Sequence, residues 1–190
     1  MSKNSFIVII TAPSGSGKTS IYKRVLDKNR NLKFSVSYTT RKKRTVEVPG
    51  KDYFFISREQ FEVKRERGEF IEWASVHGDL YGTDRKQVEN ILNHGNICIL
   101  DVDVQGALNV MKIFPDAVTI FIQPPSLEEL EKRLRKRGTE SAEEVRTRLQ
   151  DAKIELEYKR YFNYIIVNEK LESAIMRLNE IIALENNKRG

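Results

Sequence analysis

Phe6-Ile7-Val8-Ile9-Ile10 is an unbroken apolar run rich in β-branched residues, the pattern of a strand buried on both faces. A turn rich in Gly and Ser follows. Ile21, Val25 and Leu26 then fall on one helical face, so the chain opens as strand, loop, helix. Leu32 to Tyr38 alternates and predicts one strand. Pro49-Gly50 is a turn signal, and Tyr53 to Ile56 a short strand. Ser57-Arg58-Glu59-Gln60 fits a capping box that opens a short helix ending at Gly68. Phe70 to Val76 predicts a further strand, and Tyr81-Gly82-Thr83 a turn into a helix around Lys86 to Leu92. Residues 35–86 therefore read as a compact, strand-rich insertion in a doubly wound protein. Ile97 to Asp103 is a buried strand with carboxylates at its C-terminal end, where open parallel sheets bind ligands. A helix near Gln105 to Met111 comes next, then a strand from Val118 to Ile122 stopped by Pro124-Pro125. Ser126-Leu127-Glu128-Glu129 caps a very basic helix that Gly138 breaks, and Ser141-Ala142-Glu143-Glu144 caps another running towards Tyr158. Ile165 to Val167 is a last strand, and Leu171, Ala174, Ile175, Leu178, Ile181 and Ile182 keep helical spacing. No repeat or low-complexity segment interrupts this order.

Composition narrows the class. The 190 residues, 39% hydrophobic and 32% charged, suffice for one sizeable core. No apolar run approaches the ~20 residues of a membrane span. The residues before the first strand leave no room for a signal peptide, so the expectation is a cytoplasmic chain. Cys98 is the only cysteine and sits in an apolar run, which excludes an internal disulfide and a cysteine-built metal cage and predicts a small buried hydrophobe. The net charge is +6. The basic clusters Arg41-Lys42-Lys43-Arg44 and Lys132 to Arg137 are short, and nucleic-acid binding is the weakest reading of them. Most other charges read as a solvated surface.

The loop after the first strand carries the chemistry. The phosphate-loop pattern G-x-x-x-x-G-K-[ST] is met at Gly17, Lys18 and Thr19, and Ala12 stands at its first position. The physical parts survive that change. Gly15 and Gly17 let backbone N–H groups converge on an anion, Lys18 can reach β- and γ-phosphates, and the Thr19 hydroxyl can ligate Mg2+. Other anion-binding candidates are Arg41, Arg44, Tyr53, Tyr81, the i, i+4 pair Arg133 and Arg137, and Arg148. Each arginine alone reads as a solvated helix face. Together they suit phosphoryl transfer between two polyanions. A phosphate acceptor has a second pKa of about 6, so no general base is needed. His77 and His94 accordingly read as surface residues. The reaction needs charge cancellation, alignment and closing segments that exclude water. Glu72 is, by pattern alone, a polar residue on an alternating strand.

The segments Ala12 to Ser20, Ser37-Tyr38-Thr39-Thr40-Arg41, Gly50 to Phe55, Phe70-Ile71-Glu72-Trp73-Ala74, Tyr81-Gly82-Thr83, Leu100 to Gly106 and Arg137-Gly138-Thr139-Glu140 together resemble guanylate kinase. They occur in that family's order and cover nearly the whole chain. The resemblance implies an α/β fold of three layers with a phosphate loop and a parallel central sheet, a small strand-rich GMP-binding insertion and a helical lid. Its expected boundaries are core 1–34, GMP-binding insertion 35–86, core 87–126, lid region 127–148, and core with C-terminal helix 149–190. The implied activity is Mg2+-dependent transfer of the ATP γ-phosphoryl group to GMP or dGMP, in purine nucleotide metabolism and GMP recycling. By resemblance, Ala12, Pro13, Ser14, Gly15, Ser16, Gly17, Lys18, Thr19 and Ser20 bind ATP, with Mg2+ on Thr19 and Asn168 where the family approaches adenine. Ser37, Glu72, Thr83 and Asp101 contact guanine, and a carboxylate at Glu72 suits the N1–H and 2-amino donors that adenine lacks. Arg41, Arg44, Tyr53 and Tyr81 hold the GMP phosphate. Arg133, Arg137 and Arg148 reach over the ATP phosphates, and transfer rests on these three with Lys18, Arg41 and Arg44. The family varies at the position of Ala12, and Thr83 keeps the hydroxyl that many relatives carry as Ser. The implied partners are small nucleotides, with no nucleic acid or membrane, for a monomer or homodimer.

Two other classes compete. Guanylate-kinase-like binding modules have lost catalysis, whereas this chain retains Lys18, Gly15, Gly17 and the lid arginines. A related kinase with a different phosphorylated acceptor, such as a ribose bisphosphate, differs at the acceptor site, where Glu72 and Ser37 favour guanine by resemblance only.

Overall fold

The computed structural model describes residues 5–76, 78–137 (Arg137 by its backbone alone) and 141–190. In chain order the elements are β1 (Ile7–Thr11), α1 (Lys18–Lys28), β2 (Leu32–Phe34), β3 (Tyr38–Thr39), β4 (Phe54–Phe55), α2 (Arg58–Glu66), β5 (Phe70–Val76), β6 (Asp79–Asp84), α3 (Arg85–Asn93), β7 (Ile97–Asp101), α4 (Val104–Ile113), β8 (Val118–Gln123), α5 (Leu127–Arg137), α6 (Ala142–Glu157), β9 (Tyr164–Val167) and α7 (Leu171–Arg189). A central sheet has the order β2-β7-β1-β8-β9, and a second sheet the order β4-β3-β6-β5. In the first, β2 pairs with β7 and β8 with β9, both in parallel. The α/β class and parallel central sheet expected from the pattern are what the chain forms. β1, β7 and β8 are apolar and buried along nearly their whole length, as strands of a parallel sheet covered on both faces must be.

The chain divides into two compact units, Met1–Val8 with Asn31–Ala117, and Ile9–Arg30 with Val118–Gly190. In the first unit, α2 opens with the expected capping box, Ser57 and Gln60 bonding reciprocally. Phe61, Phe70 and Leu80 form the core under the second sheet, with Tyr38 and Ile56 packed against it. In the second unit, α1 packs on α7 and α5 on α6. Leu130, Leu134, Val145 and Ala152 fill the α5–α6 interface. Ser141 and Glu144 cap α6 reciprocally, as expected.

Three expectations are corrected. Leu32 to Tyr38 is not one strand: β2 belongs to the central sheet and β3 to the other, with Ser35 to Ser37 between them. Tyr81-Gly82-Thr83 is not a turn but the middle of β6. The strand read as Ile97 to Asp103 ends at Asp101, because Asp103 turns to cap α4, its carboxylate accepting from the Gly106 N–H at 2.8 Å. Cys98 is fully buried, as expected. The Gly138 break, the reading of His77 and the side chain of Arg137 fall outside the described residues. His94 is exposed.

Candidate active site

The loop between β1 and α1 leaves the strand through buried Ala12 and Pro13, and the Ser16 N–H closes a turn on the Pro13 carbonyl at 3.0 Å. Gly15 (φ +89°) and Gly17 (φ +84°) are both left-handed, which few other residues tolerate. Space fixes them as well: a Cβ on Gly15 would stand 2.9 Å from Leu134, and one on Gly17 only 2.5 Å from Asn168 Nδ2. Gly17 is the N-cap of α1, and no side chain caps that helix end. A helix N-terminus of this kind, with Lys18, Thr19 and Ser20 in its first turn, suits an anion through its backbone N–H groups and positive dipole end. Ser16 Oγ and Thr11 Oγ1 are buried and find no hydrogen-bond partner among the described residues.

Of the arginines expected in the lid region, Arg148 reaches this loop directly and Arg133 touches Asn168 instead. Arg148 Nη1 donates to Ser14 Oγ at 2.5 Å. Arg133 bridges Glu129 and the Asn168 carbonyl, each at 3.0 Å. The Asn168 carboxamide donates to the Ser16 carbonyl at 2.7 Å. Lys18, Arg133, Arg148, Asn168 and the loop thus all fall within the second unit.

The other candidate group lies wholly in the first unit. Arg41 Nε donates to the Tyr81 hydroxyl at 3.2 Å. Its guanidinium lies 5.4 Å from the Tyr53 ring centre and 5.8 Å from that of Phe55. Nη1 and Nη2 fork onto the Glu47 carboxylate at 3.1 and 2.7 Å, a geometry equally suited to phosphate. Partial burial is the largest single influence and works against both charges, but the mutual bond, together with Tyr81 at Arg41 and the Arg44 N–H at Glu47, outweighs it: Glu47 is held below the usual carboxylate range and Arg41 above its own. Burial, then the nearby Asp101 and Tyr81, push the Tyr53 hydroxyl up, so it stays a neutral donor. Arg44 is exposed, and its backbone N–H donates to Glu47 at 2.8 Å. Glu47 was missed in the sequence because its partner lies six residues away, matching neither helical nor strand spacing.

Glu72 and Thr83 face each other across β5 and β6. The pairing register shifts between Phe70 and Glu72, and Phe70, Ile71 and Glu72 are all buried in succession. Glu72 is 7% exposed, and its Oε1 accepts from the Thr83 hydroxyl at 2.6 Å. Ser37 is buried just ahead of β3. Tyr81 and Thr83 are two residues apart on β6, hence on one face, about 6.6 Å along the strand. That face therefore carries both the Tyr81 hydroxyl that accepts from Arg41 and the Thr83 hydroxyl that donates to the buried Glu72. Gly106, a second residue missed, makes room for the carboxylate: a Cβ there would stand 2.7 Å from Glu72 Oε2. A glycine in the first turn of a helix is the only sequence signal for it.

Burial raises the Glu72 pKa from 4.5 to about 7; the Thr83 bond lowers it and the Asp103 charge raises it. Above its unfolded value the folded carboxyl holds its proton more tightly, so the cost of ionising it is absent at low pH and complete above about 7. Glu72→Gln, which cannot ionise, should therefore gain stability over the parent between pH 5 and 8, by up to about 3 kcal/mol. Denaturant titrations at the two pH values check this, and an unchanged difference would remove the buried titration.

The Guanylate kinase family model matches residues 4–185. The chain belongs to the guanylate kinase family. A guanylate kinase of Thermotoga maritima is 51% identical over 182 residues, 96% of this chain and 88% of that one. One of Caldanaerobacter subterraneus subsp. tengcongensis is 44% identical over 183 residues, covering 96% and 89%. The crystal structure of guanylate kinase from Anaplasma phagocytophilum superposes with a TM-score of 0.82 at 36% identity, covering 96% of this chain and 86% of that one. Shikimate kinase from Bacteroides thetaiotaomicron, at 20% identity and a TM-score of 0.50, shares the fold. The known activity of the guanylate kinase family is phosphorylation of GMP by ATP, a nucleoside monophosphate kinase reaction.

Proposed function

We propose that this chain transfers the γ-phosphoryl group of Mg2+-bound ATP to GMP or dGMP, giving ADP and GDP or dGDP, as a guanylate kinase of the cytoplasm working on free nucleotides. The observation that carries the acceptor assignment is the buried Glu72–Thr83 pair on the same strand face as the Arg41–Tyr81 cluster. In this reading Glu72 accepts from guanine N1–H and the 2-amino group, with Ser37, Thr83 and Asp101 beside it. Arg41, Arg44, Tyr53 and Tyr81 hold the acceptor phosphate, which Arg41 can grip as it grips Glu47. The residues from Ala12 to Ser20 wrap the ATP phosphates. Lys18 carries charge to the γ-phosphoryl group, and Arg133, Arg137 and Arg148 neutralise it from the lid region.

The residues present fit Mg2+. Among the described residues no group of three or more His, Cys, Asp or Glu side chains could hold a metal ion. Mg2+ needs none where nucleotide oxygens and water supply most of its octahedron. The Thr19 hydroxyl, exposed in the first turn of α1, suits the remaining position. When bound, the ion draws charge from the β- and γ-oxygens.

ADP release from Mg-ATP with GMP, dGMP, AMP, CMP, UMP or ribose bisphosphate as acceptor tests the reading. Turnover confined to GMP and dGMP is the expected result. Turnover with another acceptor would keep the kinase and discard the guanine assignment. No turnover from folded protein would favour a binding module.

A further inference from the structure

We propose that Asn168 is a positioning residue of the phosphate loop: its carboxamide fixes the Ser16–Gly17 peptide so that the loop fits a triphosphate, whatever base the nucleotide carries. The proposal rests on the reading of Ala12 to Ser20 as the triphosphate site. Three segments converge on this residue. Its backbone N–H donates to the Gln123 carbonyl at the end of β8, at 2.8 Å. Its carbonyl accepts from Arg133 of α5 at 3.0 Å. Its Nδ2 donates to the Ser16 carbonyl at 2.7 Å, and the whole residue is 6% exposed.

The mechanism follows from peptide planarity. The Ser16 C=O and the Gly17 N–H belong to one rigid unit and point in opposite directions. Pinning the carbonyl to Asn168 therefore aims the Gly17 N–H away from Asn168. Gly17 needs such a brace. It is left-handed, it heads α1 without a side-chain cap, and a glycine does little to hold its own torsions. Gly17 also leaves the room the carboxamide occupies, since a Cβ there would lie 2.5 Å from Nδ2. Arg133 binds the same residue while holding Glu129, so α5 is registered on the brace. A residue expected beside adenine thus spends a donor on the loop.

The two roles separate by ligand. Calorimetry on the full chain would compare ATP, UTP and inorganic tripolyphosphate for the parent, Asn168→Ala and the near-isosteric Asn168→Asp, with Lys18→Ala as reference. Melting curves would confirm that each variant is folded. A positioning role predicts that both Asn168 variants weaken all three ligands by a common factor of about ten, the worth of one lost hydrogen bond, while the KM for GMP stays within about twofold. A loss confined to ATP would overturn the proposal in favour of adenine contact. So would unchanged affinity in Asn168→Asp, which keeps the shape but sets an acceptor against the Ser16 carbonyl. If Lys18→Ala binds tripolyphosphate as well as the parent does, the triphosphate reading itself fails, and the brace with it. If Lys18→Ala loses binding and the Asn168 variants do not, only the brace fails.

Discussion

Lys18→Ala should lower kcat roughly a thousandfold or more, with the fold and the KM for GMP nearly unchanged. The expectation follows from what Lys18 is placed to do. It is the first residue of a helix whose N-terminus carries no acidic side chain in its first turn and no side-chain cap. Backbone N–H groups of the loop such as those of Gly15 and Gly17 can bind phosphate oxygens in substrate and transition state alike, which changes affinity more than rate. A lysine ammonium adds to triphosphate affinity as well, but it also follows charge as it shifts during transfer, and that further contribution is realised at the barrier. The fold should not suffer, because alanine is the best helix former and Lys18 contributes nothing to the apolar core. The residues proposed to hold GMP all belong to the other unit, so the KM for GMP is expected to stay where it is. Steady-state kinetics with a melting curve decide it. Turnover within about tenfold of the parent would take Lys18 out of the transfer step.

What the sequence made legible was local. The strand, loop and helix around Gly15 and Gly17, the two reciprocal capping boxes, and the apolar strands β1, β7 and β8 are each written in neighbouring residues. What escaped was decided by contacts distant in the chain. Leu32 to Tyr38 alternates smoothly, yet Phe34 pairs with Ile99 and Tyr38 with Gly82, so one run serves two sheets. Gly82 looked like a turn glycine, but it lies in β6, where a Cβ would meet the rings of Phe61 and Phe70 at 3.0 Å. Gly there serves packing. Glu47 was opaque in the same way, and for Asn168 resemblance offered only a place near adenine. An acid in a charged loop and an asparagine after a strand show their partners, Arg41 and Ser16, only in the folded chain. Glu72 was placed by resemblance alone, and the register shift beside it has no local signature.

Glu72→Gln should raise the KM for GMP about a hundredfold while leaving that for ATP within about twofold. The Glu72 carboxylate offers four lone-pair sites, and Thr83 engages it through its hydroxyl and its backbone, so acceptors remain for the two guanine donors. Glutamine replaces one acceptor oxygen with an NH2 group. A guanine donor then meets a donor, in a site that is 7% exposed and has little water to substitute. The loss should therefore exceed that of one charged hydrogen bond. IMP, which lacks the 2-amino group, makes fewer of these bonds from the start, so the preference for GMP over IMP should narrow in the variant. The pH profile supplies a second check. In the parent, the KM for GMP should fall as pH rises through about 7, because ionising Glu72 creates the acceptor. The acceptor phosphate also ionises, near pH 6, and that part of the profile should survive in Glu72→Gln while the part near 7 disappears. Equal rises in both KM values would show that the substitution disturbs the protein generally. A profile in Glu72→Gln identical to the parent's would mean that another group reads the base.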